Sequence, residues 1–152
     1  MTKLSEYQGK LAMVTGAGDG IGEMLAKQLA AAGLTVAVQD IRQDAAARVV
    51  SEIRGTAFPI VFDVSDRDAC LAAADALRAH GPLNLLWINA GVGVGSPILT
   101  GKPNAIEWAL GVNVYGVIWT AQAFTPLMQD AEGPRHVGFT AVSYTHLTLP
   151  TK

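Results

Sequence analysis

The amino-acid sequence predicts an α/β fold built on a doubly wound parallel sheet. Short apolar runs alternate regularly with helix-forming stretches, which is the pattern of an open parallel sheet. Each apolar run is continuous instead of alternating with polar residues, as expected for strands that helices cover on both faces. A glycine-rich segment joins the first apolar run to the first helical stretch. The 152 residues contain neither repeats nor a linker, so we expect one domain.

The predicted strands and helices follow one another in alternating order. The strands are Leu11–Thr15, Thr35–Gln39, Ala57–Phe62, Leu83–Asn89 and His136–Thr140. The helices are Gly20–Ala32, Asp44–Arg54, Asp66–His80 and Asn104–Gln129. Gly33 and Gly81 are predicted to end the helices before them, and Ser65 is predicted to cap the third helix.

The last predicted helix carries a wide apolar surface. Apolar residues recur there near the helical period, at Ile106, Leu110, Val114, Val117, Ala121, Phe124 and Leu127. We expect most of this surface to pack onto the sheet and the remainder to face a partner subunit. Trp108 and Trp119, which flank it, are predicted to be packing residues.

The composition excludes several classes of partner. The formal net charge is −2 and charged residues make up 16%, so nothing indicates a nucleic acid or an anionic membrane. The one cysteine, Cys70, rules out an intrachain disulfide and predicts a small core residue in a reducing compartment. Residues 1–10 lack a signal-peptide core and no membrane span is predicted, so we expect a cytoplasmic protein. The three histidines share no ligand spacing, and we predict no metal site.

The glycine-rich segment Thr15–Gly22 is the most informative functional pattern. Its sequence is Thr-Gly-Ala-Gly-Asp-Gly-Ile-Gly, and it connects an apolar strand to a helix. Glycines allow a tight turn and a close approach of the backbone to a pyrophosphate, while the helix N-terminus supplies free N–H groups. Such runs also form plain turns. The position between a strand and a helix is what favours a phosphate cradle.

Asp40 follows the second predicted strand at the spacing expected of a ribose-binding carboxylate. There it would hydrogen-bond a ribose 2′-hydroxyl and repel a 2′-phosphate, which favours NAD. The alternative is an aspartate that caps the next loop. Arg42 keeps NADP open, because its guanidinium is able to bind a 2′-phosphate.

Three further motifs lie near the expected ligand-binding edge of the sheet. Asp63-Val64 follows strand three and is placed to contact an adenine amine, and Asn89-Ala90-Gly91 follows strand four with small residues that let a cofactor pass. Asn113 lies inside the last helix, where an asparagine is unfavourable by propensity and disturbs the hydrogen-bond ladder.

Together these motifs resemble the classical short-chain dehydrogenase/reductase family, in register from about Lys10 to Ala141. The resemblance implies a Rossmann-type sheet with strand order 3-2-1-4-5, a nicotinamide cofactor, an alcohol or carbonyl substrate, and a homodimer or homotetramer. It implies that Asn113 is the catalytic asparagine, whose backbone holds a water in a proton relay. The cofactor-binding residues it implies are Gly16, Gly18, Asp19, Gly20, Ile21, Gly22, Asp40, Ile41, Asp63, Val64, Asn89, Ala90 and Gly91.

The family pattern breaks after the fifth strand. The family has a serine there, followed by a tyrosine and, four residues later, a lysine. The lysine lowers the pKa of the tyrosine, which otherwise titrates near 10, so that the phenol can transfer a proton. Val142 stands at the serine position, and the residue four after Tyr144 is Thr148. We therefore expect a sheet truncated after strand five, catalytically inactive and poorly soluble. The alternatives are a non-catalytic dinucleotide-binding module (a pseudoenzyme or a sensor) and another Rossmann protein such as a methyltransferase.

The last residues, 142–152, do not resemble the family's continuation. From about Val142 they resemble the conceptual translation of a transposase sequencing adapter, so we expect residues 1–141 to be an incomplete Rossmann domain and the remainder a non-native tail. A genuine divergent terminus with a strand over Tyr144–Leu149 is the alternative.

Overall fold

The computed structural model describes residues 3–93 and 101–141. Over these ranges one parallel sheet forms with the order β3-β2-β1-β4-β5. Its strands are β1 (Leu11–Val14), β2 (Thr35–Asp40), β3 (Ala57–Val61), β4 (Leu83–Ile88) and β5 (His136–Phe139). The α-helices are α1 (Gly20–Ala31), α2 (Gln43–Glu52), α3 (Arg67–Leu77), α4 (Pro103–Leu110) and α5 (Gly116–Phe124). The predicted Rossmann-type fold and strand order are confirmed.

The central strand β1 is buried on both faces, which explains its unbroken apolar sequence. Leu11 and Met13 contribute to a core cluster that also contains residues of α3 and α5. Ala12 and Val14 face the opposite way and belong to a second cluster with α1 and α2. Successive residues of a strand point to opposite sides of a sheet, so each core receives every second residue. The two cores fix the position of β1, and therefore of the glycine segment that follows it.

Both edges of the described sheet carry a single partner strand. Pro59 lies within β3, which pairs only with β2, and its missing N–H is tolerated at an edge. On the other edge β5 pairs with β4 alone, and Phe139 is 53% exposed. The expectation that strand five is an edge strand is confirmed for the described residues.

Two predicted helix ends are confirmed and one predicted cap is wrong. Gly33 and Gly81 have positive φ angles of 91° and 102°, which suit glycine after a helix. Ser65 does not cap α3. The cap is Asp66, whose carboxylate accepts hydrogen bonds from the backbone N–H groups of Asp68 and Ala69 at 2.9 and 3.1 Å.

The predicted last helix is interrupted where Asn113 lies. Between α4 and α5 the residues Gly111–Tyr115 form a π-helical turn, and a 3-10 turn, Thr125–Met128, follows α5. A π turn widens the backbone ring by one residue and is frequent at functional sites. The disturbance that the sequence predicted at Asn113 is therefore a local widening inside an otherwise helical segment.

The predicted apolar stripe of this segment is partly wrong. Phe124 and Leu127 are buried as expected, but Ile106, Leu110 and Val114 are exposed. Trp108, predicted to pack, is 54% exposed. The buried face instead consists largely of small residues, namely Ala109, Val112, Gly116, Thr120 and Ala123. Small side chains let the helix approach closely, and a Cβ atom on Gly116 would lie 2.9 Å from a methyl carbon of Val64.

Cys70 is a buried core residue, as predicted, and burial raises the pKa of its thiol to about 11. Within residues 3–93 and 101–141 the structure has no helix long and apolar enough to cross a membrane.

Candidate cofactor-binding site

A cavity of about 580 Å³ opens at the carboxyl ends of the strands, where β1 lies beside β4. The chain leaves β1 toward β2 on one side, whereas β4 lies on the other, so the strand order reverses there. Such switch points are where open α/β sheets bind ligands. The lining residues are Gly16, Asp19, Gly20, Ile21, Gln39, Asp40, Ile41, Arg42, Phe62, Asp63, Val64, Asn89, Ala90, Gly91, Val92, Trp108, Val112 and Thr140.

Steric crowding requires glycine at several positions of the glycine segment, among them Gly16 and Gly22. Gly16 has a φ of 59°, and a Cβ atom there would lie 2.7 Å from the Cα atom of Ala90. A Cβ atom on Gly22 would overlap the carbonyl oxygen of Gly16 and would lie 2.6 Å from the side-chain nitrogen of Asn89. The absence of a side chain at these glycines lets the turn, the start of α1 and the end of β4 pack in direct contact with one another.

Helix α1 begins directly at the cavity. Asp19 is its N-cap, and its carboxylate accepts a hydrogen bond from the N–H group of Gly20 at 2.7 Å. The first turn of a helix carries backbone N–H groups without partners inside the helix, and its dipole favours an anion. Ile21 lies in this turn with 66% of its surface exposed. One end of the cavity is therefore formed by a helix N-terminus with an exposed apolar side chain beside it.

Asp40 ties the glycine segment to the end of β2. Its side chain is buried, and its two oxygens accept hydrogen bonds from the backbone N–H groups of Gly18 and Arg42, both at 2.9 Å. The loop-capping interpretation of Asp40 is therefore correct, because Arg42 belongs to the next loop. The carboxylate also lines the cavity, so this cap does not remove it from the ligand-binding edge.

The Arg42 guanidinium lies near the same carboxylate, with 3.4 Å between its Nε atom and Asp40 Oδ1. Its side chain is 57% exposed and lines the cavity beside Ile41, which is also exposed. A carboxylate and a cation thus stand side by side at this end of the cavity.

Asp63 and Val64 follow β3, as predicted, and line the cavity. One carboxylate oxygen of Asp63 accepts hydrogen bonds from the N–H and the hydroxyl groups of Ser65, at 2.8 and 2.7 Å. The Ser65 hydroxyl therefore orients the Asp63 carboxylate instead of capping α3. Val64 is buried and packs in the core, so it offers a polar ligand only its backbone.

The Asn89 side chain holds the backbone around the cavity in place. Its side-chain amide donates to the carbonyl oxygens of Thr15 and Gly16, at 3.1 and 3.2 Å. The Thr15 hydroxyl in turn accepts from the backbone N–H groups of Asn89 and Ala90, at 2.9 and 3.0 Å. These reciprocal bonds join the ends of β1 and β4. Gly91 continues the wall of the cavity beyond them.

The Asn113 side chain is bound on both sides to one residue of the loop after β4. Its oxygen accepts from the N–H group of Val92 at 2.8 Å, and its nitrogen donates to the carbonyl of Val92 at 2.9 Å. Each polar group of the side chain thus makes one hydrogen bond to Val92. The π turn meanwhile displaces the backbone of Asn113 from regular helical bonding.

An ion-pair cluster supports the glycine segment from outside the cavity. Arg48 of α2 donates to the carbonyl oxygen of Gly18 at 2.9 Å and to Glu23 at 2.8 Å. Lys27 contacts both Glu23 and Glu52 at 2.6 Å. Hydrogen bonds from Arg48 and then from Lys27 lower the pKa of Glu23 to about 2.

Most of the predicted site residues meet around this one cavity. Those that do not line it are Gly18, Gly22 and Asn113, which act on it through the packing and hydrogen bonds described above. Sequence reasoning missed Gln39 and Thr15, both buried polar residues at the ends of apolar strands, and the polar side chain in an apolar run was the available signal. It also missed the lining residues Phe62, Val92, Trp108, Val112 and Thr140. The sequence leaves the loop 93–97 open either to contact a substrate or to be a plain connection, and its residues 94–97 lie outside the described ranges, as do residues 142–152.

Comparison with known proteins identifies relatives over the same residues. The family model described as short chain dehydrogenase matches residues 10–141. C alpha-dehydrogenase of Sphingobium sp. is 35% identical over an alignment of 140 residues that covers 88% of this chain and 46% of that protein. The 7alpha-hydroxysteroid dehydrogenase of Escherichia coli K12 is 38% identical over an alignment of 130 residues that covers 82% of this chain and 50% of that protein. The chain thus spans about half the length of these relatives.

A solved structure supports the same relationship. A short chain dehydrogenase/reductase from Burkholderia phymatum, crystallised in complex with NAD, superimposes with a TM-score of 0.83 at 36% identity, over 90% of this chain and 50% of that one. The family model covers far more than half of the chain, and the strand order and the cavity agree with it. The chain belongs to the short-chain dehydrogenase family.

Proposed function

We propose that this chain is the dinucleotide-binding part of an NAD(P)-dependent oxidoreductase that acts on a small alcohol or carbonyl compound. The observation that carries the proposal is the arrangement around Asp40, a buried carboxylate that holds the N–H group of Gly18 at the edge of a cavity into which α1 begins. A pyrophosphate fits the positive end of a helix, and a ribose hydroxyl fits a fixed carboxylate.

NAD is the preferred cofactor in this proposal. A 2′-phosphate placed near Asp40 would meet a buried negative charge, which costs more free energy than a hydroxyl in the same place. The Burkholderia phymatum relative was crystallised with NAD, which supports the same choice. Arg42 makes NADP the second candidate, because its half-exposed guanidinium stands beside the carboxylate.

In this proposal, different residues around the cavity would bind different parts of the cofactor. The bound nicotinamide would supply the site that gains or releases a hydride. Gly16, Asp19, Gly20 and Ile21 with the first turn of α1 would hold the pyrophosphate, and Asp63 with the backbone of Val64 would hold the adenine. Asn89, Ala90 and Gly91 would form the wall along which the cofactor lies. The backbone of Asn113 would hold a water for proton transfer, since its side chain is bound to Val92.

We further propose that the 152-residue chain binds the cofactor without turning over a substrate. The tyrosine among residues 142–152 of this sequence, Tyr144, is followed four residues later by Thr148 and not by a lysine. The second candidate function is a non-catalytic dinucleotide-binding module. The genomic reading frame beyond Ala141 separates the two, because a Tyr-x-x-x-Lys sequence after an intact serine supports the enzyme. The cytoplasmic location expected from Cys70 stays a prediction.

The proposal includes self-association through the helical segment from α4 to α5. Its exposed side is apolar, and large side chains there include Ile106, Leu110, Val114, Tyr115 and Ile118. Exposed apolar patches of this kind mark interaction sites. We propose a homodimer or a homotetramer of the natural protein.

The test is a titration of the purified chain with NADH and NADPH, followed by quenching of tryptophan fluorescence, since Trp108 lines the cavity. We expect NADH to bind more tightly than NADPH. Asp40→Asn removes the charge and keeps one of the two acceptor oxygens, since its amide nitrogen cannot accept from the N–H group of either Gly18 or Arg42. We expect it to reduce the ratio of NADH affinity to NADPH affinity by about tenfold, roughly 1.4 kcal/mol. Gly16→Val, which places a side chain against Ala90, should abolish binding. Absence of NADH binding by the unsubstituted chain contradicts the proposal, and turnover of an alcohol by it contradicts the claim of inactivity.

A further inference from the structure

Gln39 is a buried amide at the floor of the cavity, and both ends of it are bound to backbone groups. The side chain oxygen accepts a hydrogen bond from the N–H group of Gly16 at 3.0 Å, and the nitrogen donates to the carbonyl oxygen of Phe62 at 2.6 Å. The residue is 1% exposed. A polar side chain this deeply buried is costly unless it is fully bonded. Gln39 meets that requirement through two particular backbone groups.

These two backbone groups belong to different walls of the cavity. Gly16 opens the glycine segment after β1, and Phe62 directly precedes Asp63 and Val64 after β3. Gln39 lies in β2, between those two strands, and its own carbonyl oxygen accepts from the N–H group of Ala17 at 2.7 Å. One residue therefore connects the turn that faces a pyrophosphate with the segment that faces an adenine.

Gly16 is held from the opposite side as well. Its carbonyl oxygen accepts from the Asn89 side chain at 3.2 Å, while its N–H group is held by Gln39. The first peptide groups of the glycine segment are thus fixed by one amide from β2 and one from the end of β4. Removal of either amide leaves a polar backbone group of the turn without its protein partner.

We infer that Gln39 is a positioning residue for the adenosine half of the cofactor, which fixes the distance between the glycine turn and the end of β3. The inference rests on the proposed function. Without this amide, the glycine turn and the end of β3 are free to separate and to admit water. Only the molecules in which the two segments keep their original distance then bind the cofactor. The apparent dissociation constant rises by the inverse of the fraction of molecules in that arrangement, so a fraction of about one tenth gives a tenfold weaker complex.

The chemistry of the two bonds suggests two substitutions. Gln39→Met keeps the length of the side chain and removes both polar groups, so affinity for NADH and for ADP should fall about tenfold or more at every pH. Gln39→Glu keeps the acceptor for Gly16, but its carboxylate opposes the carbonyl oxygen of Phe62. When the introduced carboxyl is protonated it is able to donate to Phe62 and to accept from Gly16, as the amide does. Its affinity relative to the unsubstituted chain should therefore fall as the pH rises.

Asn84 provides the matched control. It is 2% exposed, and its side-chain nitrogen donates to the carbonyl oxygens of Glu132 and Pro134, at 2.9 and 3.0 Å. It lies near the amino end of β4, at the end of the sheet opposite to the cavity. Asn84→Asp breaks equivalent bonds, so it should lower the stability of the fold and leave the affinity for NADH and ADP unchanged.

The experiment is a fluorescence titration of all four proteins with NADH, with ADP as a competitor, from pH 5.5 to 8.5. Circular dichroism at each pH confirms that the measured sample is folded. A pH-dependent loss of affinity in Gln39→Glu, absent in Gln39→Met and in Asn84→Asp, supports the inference. If Gln39→Met does not fold, the pH dependence of Gln39→Glu decides alone. Affinity equal to that of the unsubstituted chain in the folded Gln39→Glu protein at every pH overturns the inference and leaves the proposed function intact. Failure of the unsubstituted chain to bind NADH overturns both.

Discussion

The two sides of the cavity are built differently. On the side of β1, β2 and β3, the buried side chains of Gln39 and Asp40 accept hydrogen bonds from backbone N–H groups of the glycine segment, at 3.0 and 2.9 Å. On the side of α4 and α5, large apolar side chains such as Leu110 and Tyr115 are about half exposed. One side satisfies its polar groups within the chain, whereas the other leaves apolar surface in contact with water.

Because of this difference, we expect cofactor binding to depend on one side of the cavity and the burial of the remaining apolar surface to depend on the other. The bonds around the glycine segment involve Thr15, Gln39, Asp40 and Asn89, which are brought together by β1, β2 and β4 alone. The cradle is therefore preorganised, and preorganisation is what limits the cost of binding. The exposed side of α4 and α5 contributes nothing to those bonds. We expect perturbations of the first side to change affinity strongly and perturbations of the second to change mainly association between chains.

After Gly16→Val, the largest effect is expected from Gly22→Ala. The added methyl group would overlap the carbonyl oxygen of Gly16 and would approach the Asn89 side chain, so the start of α1 has to move away from the turn. We expect NADH affinity to fall at least a hundredfold, and the free energy of unfolding to fall by about 1–3 kcal/mol, as is usual for overpacking. NADH titration and urea unfolding measure the two effects.

Gly93→Ala is the control for that substitution. A Cβ atom on Gly93 meets no atom of the described residues 3–93 and 101–141 within 4 Å, and the residue has no positive φ angle. It should leave both the affinity and the stability unchanged. A Gly22→Ala protein with normal NADH affinity would show that the close approach of α1 to the turn is not needed for binding.

The sequence allowed prediction of the features that depend on the backbone and on burial of whole strands. The glycine segment and the position of Asp40 follow from unbroken apolar runs and from glycines between a strand and a helix, whereas the strand order was implied by the family resemblance. Gln39 was not predicted as a site residue because a polar residue in a strand does not reveal which backbone groups it meets. That information exists only once β1 and β3 lie on either side of β2.

The helical segment was harder to predict, for a related reason. Leu110 and Val112 are both apolar, yet Leu110 is 49% exposed and Val112 is 7% exposed. The helical segment packs closely against the rest of the fold, so its buried face has small residues such as Ala109 and Gly116. Hydrophobicity alone therefore does not predict which face is buried. The π turn around Asn113 also shifts the helical register, and spacing rules for a regular helix do not include such a shift.

A smaller effect is expected from the ion pairs behind the glycine segment. The pKa of Glu23 is lowered to about 2 from its ordinary value of 4.5, chiefly by hydrogen bonds from Arg48 and then from Lys27. A carboxylate with a depressed pKa stabilises the folded state above its unfolded pKa, and this contribution is lost as the pH falls toward the folded value. The unsubstituted chain should therefore lose stability more steeply than Glu23→Gln between about pH 4.5 and pH 2.

Urea unfolding at several pH values measures this difference, which should stay below about 1 kcal/mol because the ion pairs are at the surface. Glu107→Gln is the control, since Glu107 makes no ion pair with any residue that the structure describes. Equal slopes for Glu23→Gln and the unsubstituted chain would mean that the cluster does not stabilise the fold. The hydrogen bond from the Gly18 N–H group to the Asp40 carboxylate would then be enough to hold the turn.

The smallest effect on the folded chain is expected from Leu110→Glu, which tests the other side of the comparison. Leu110 is half exposed, so the charged side chain remains in water, and the free energy of unfolding should change by less than about 0.5 kcal/mol at low protein concentration. NADH affinity should also stay unchanged. Its neighbour Ala109 is 9% exposed, and Ala109→Glu should destabilise the fold because it buries a charge. Light scattering should show less self-association for Leu110→Glu at high concentration. If Leu110→Glu instead weakens NADH binding in dilute solution, the helical side takes part in forming the cradle, and the two sides are one cooperative unit.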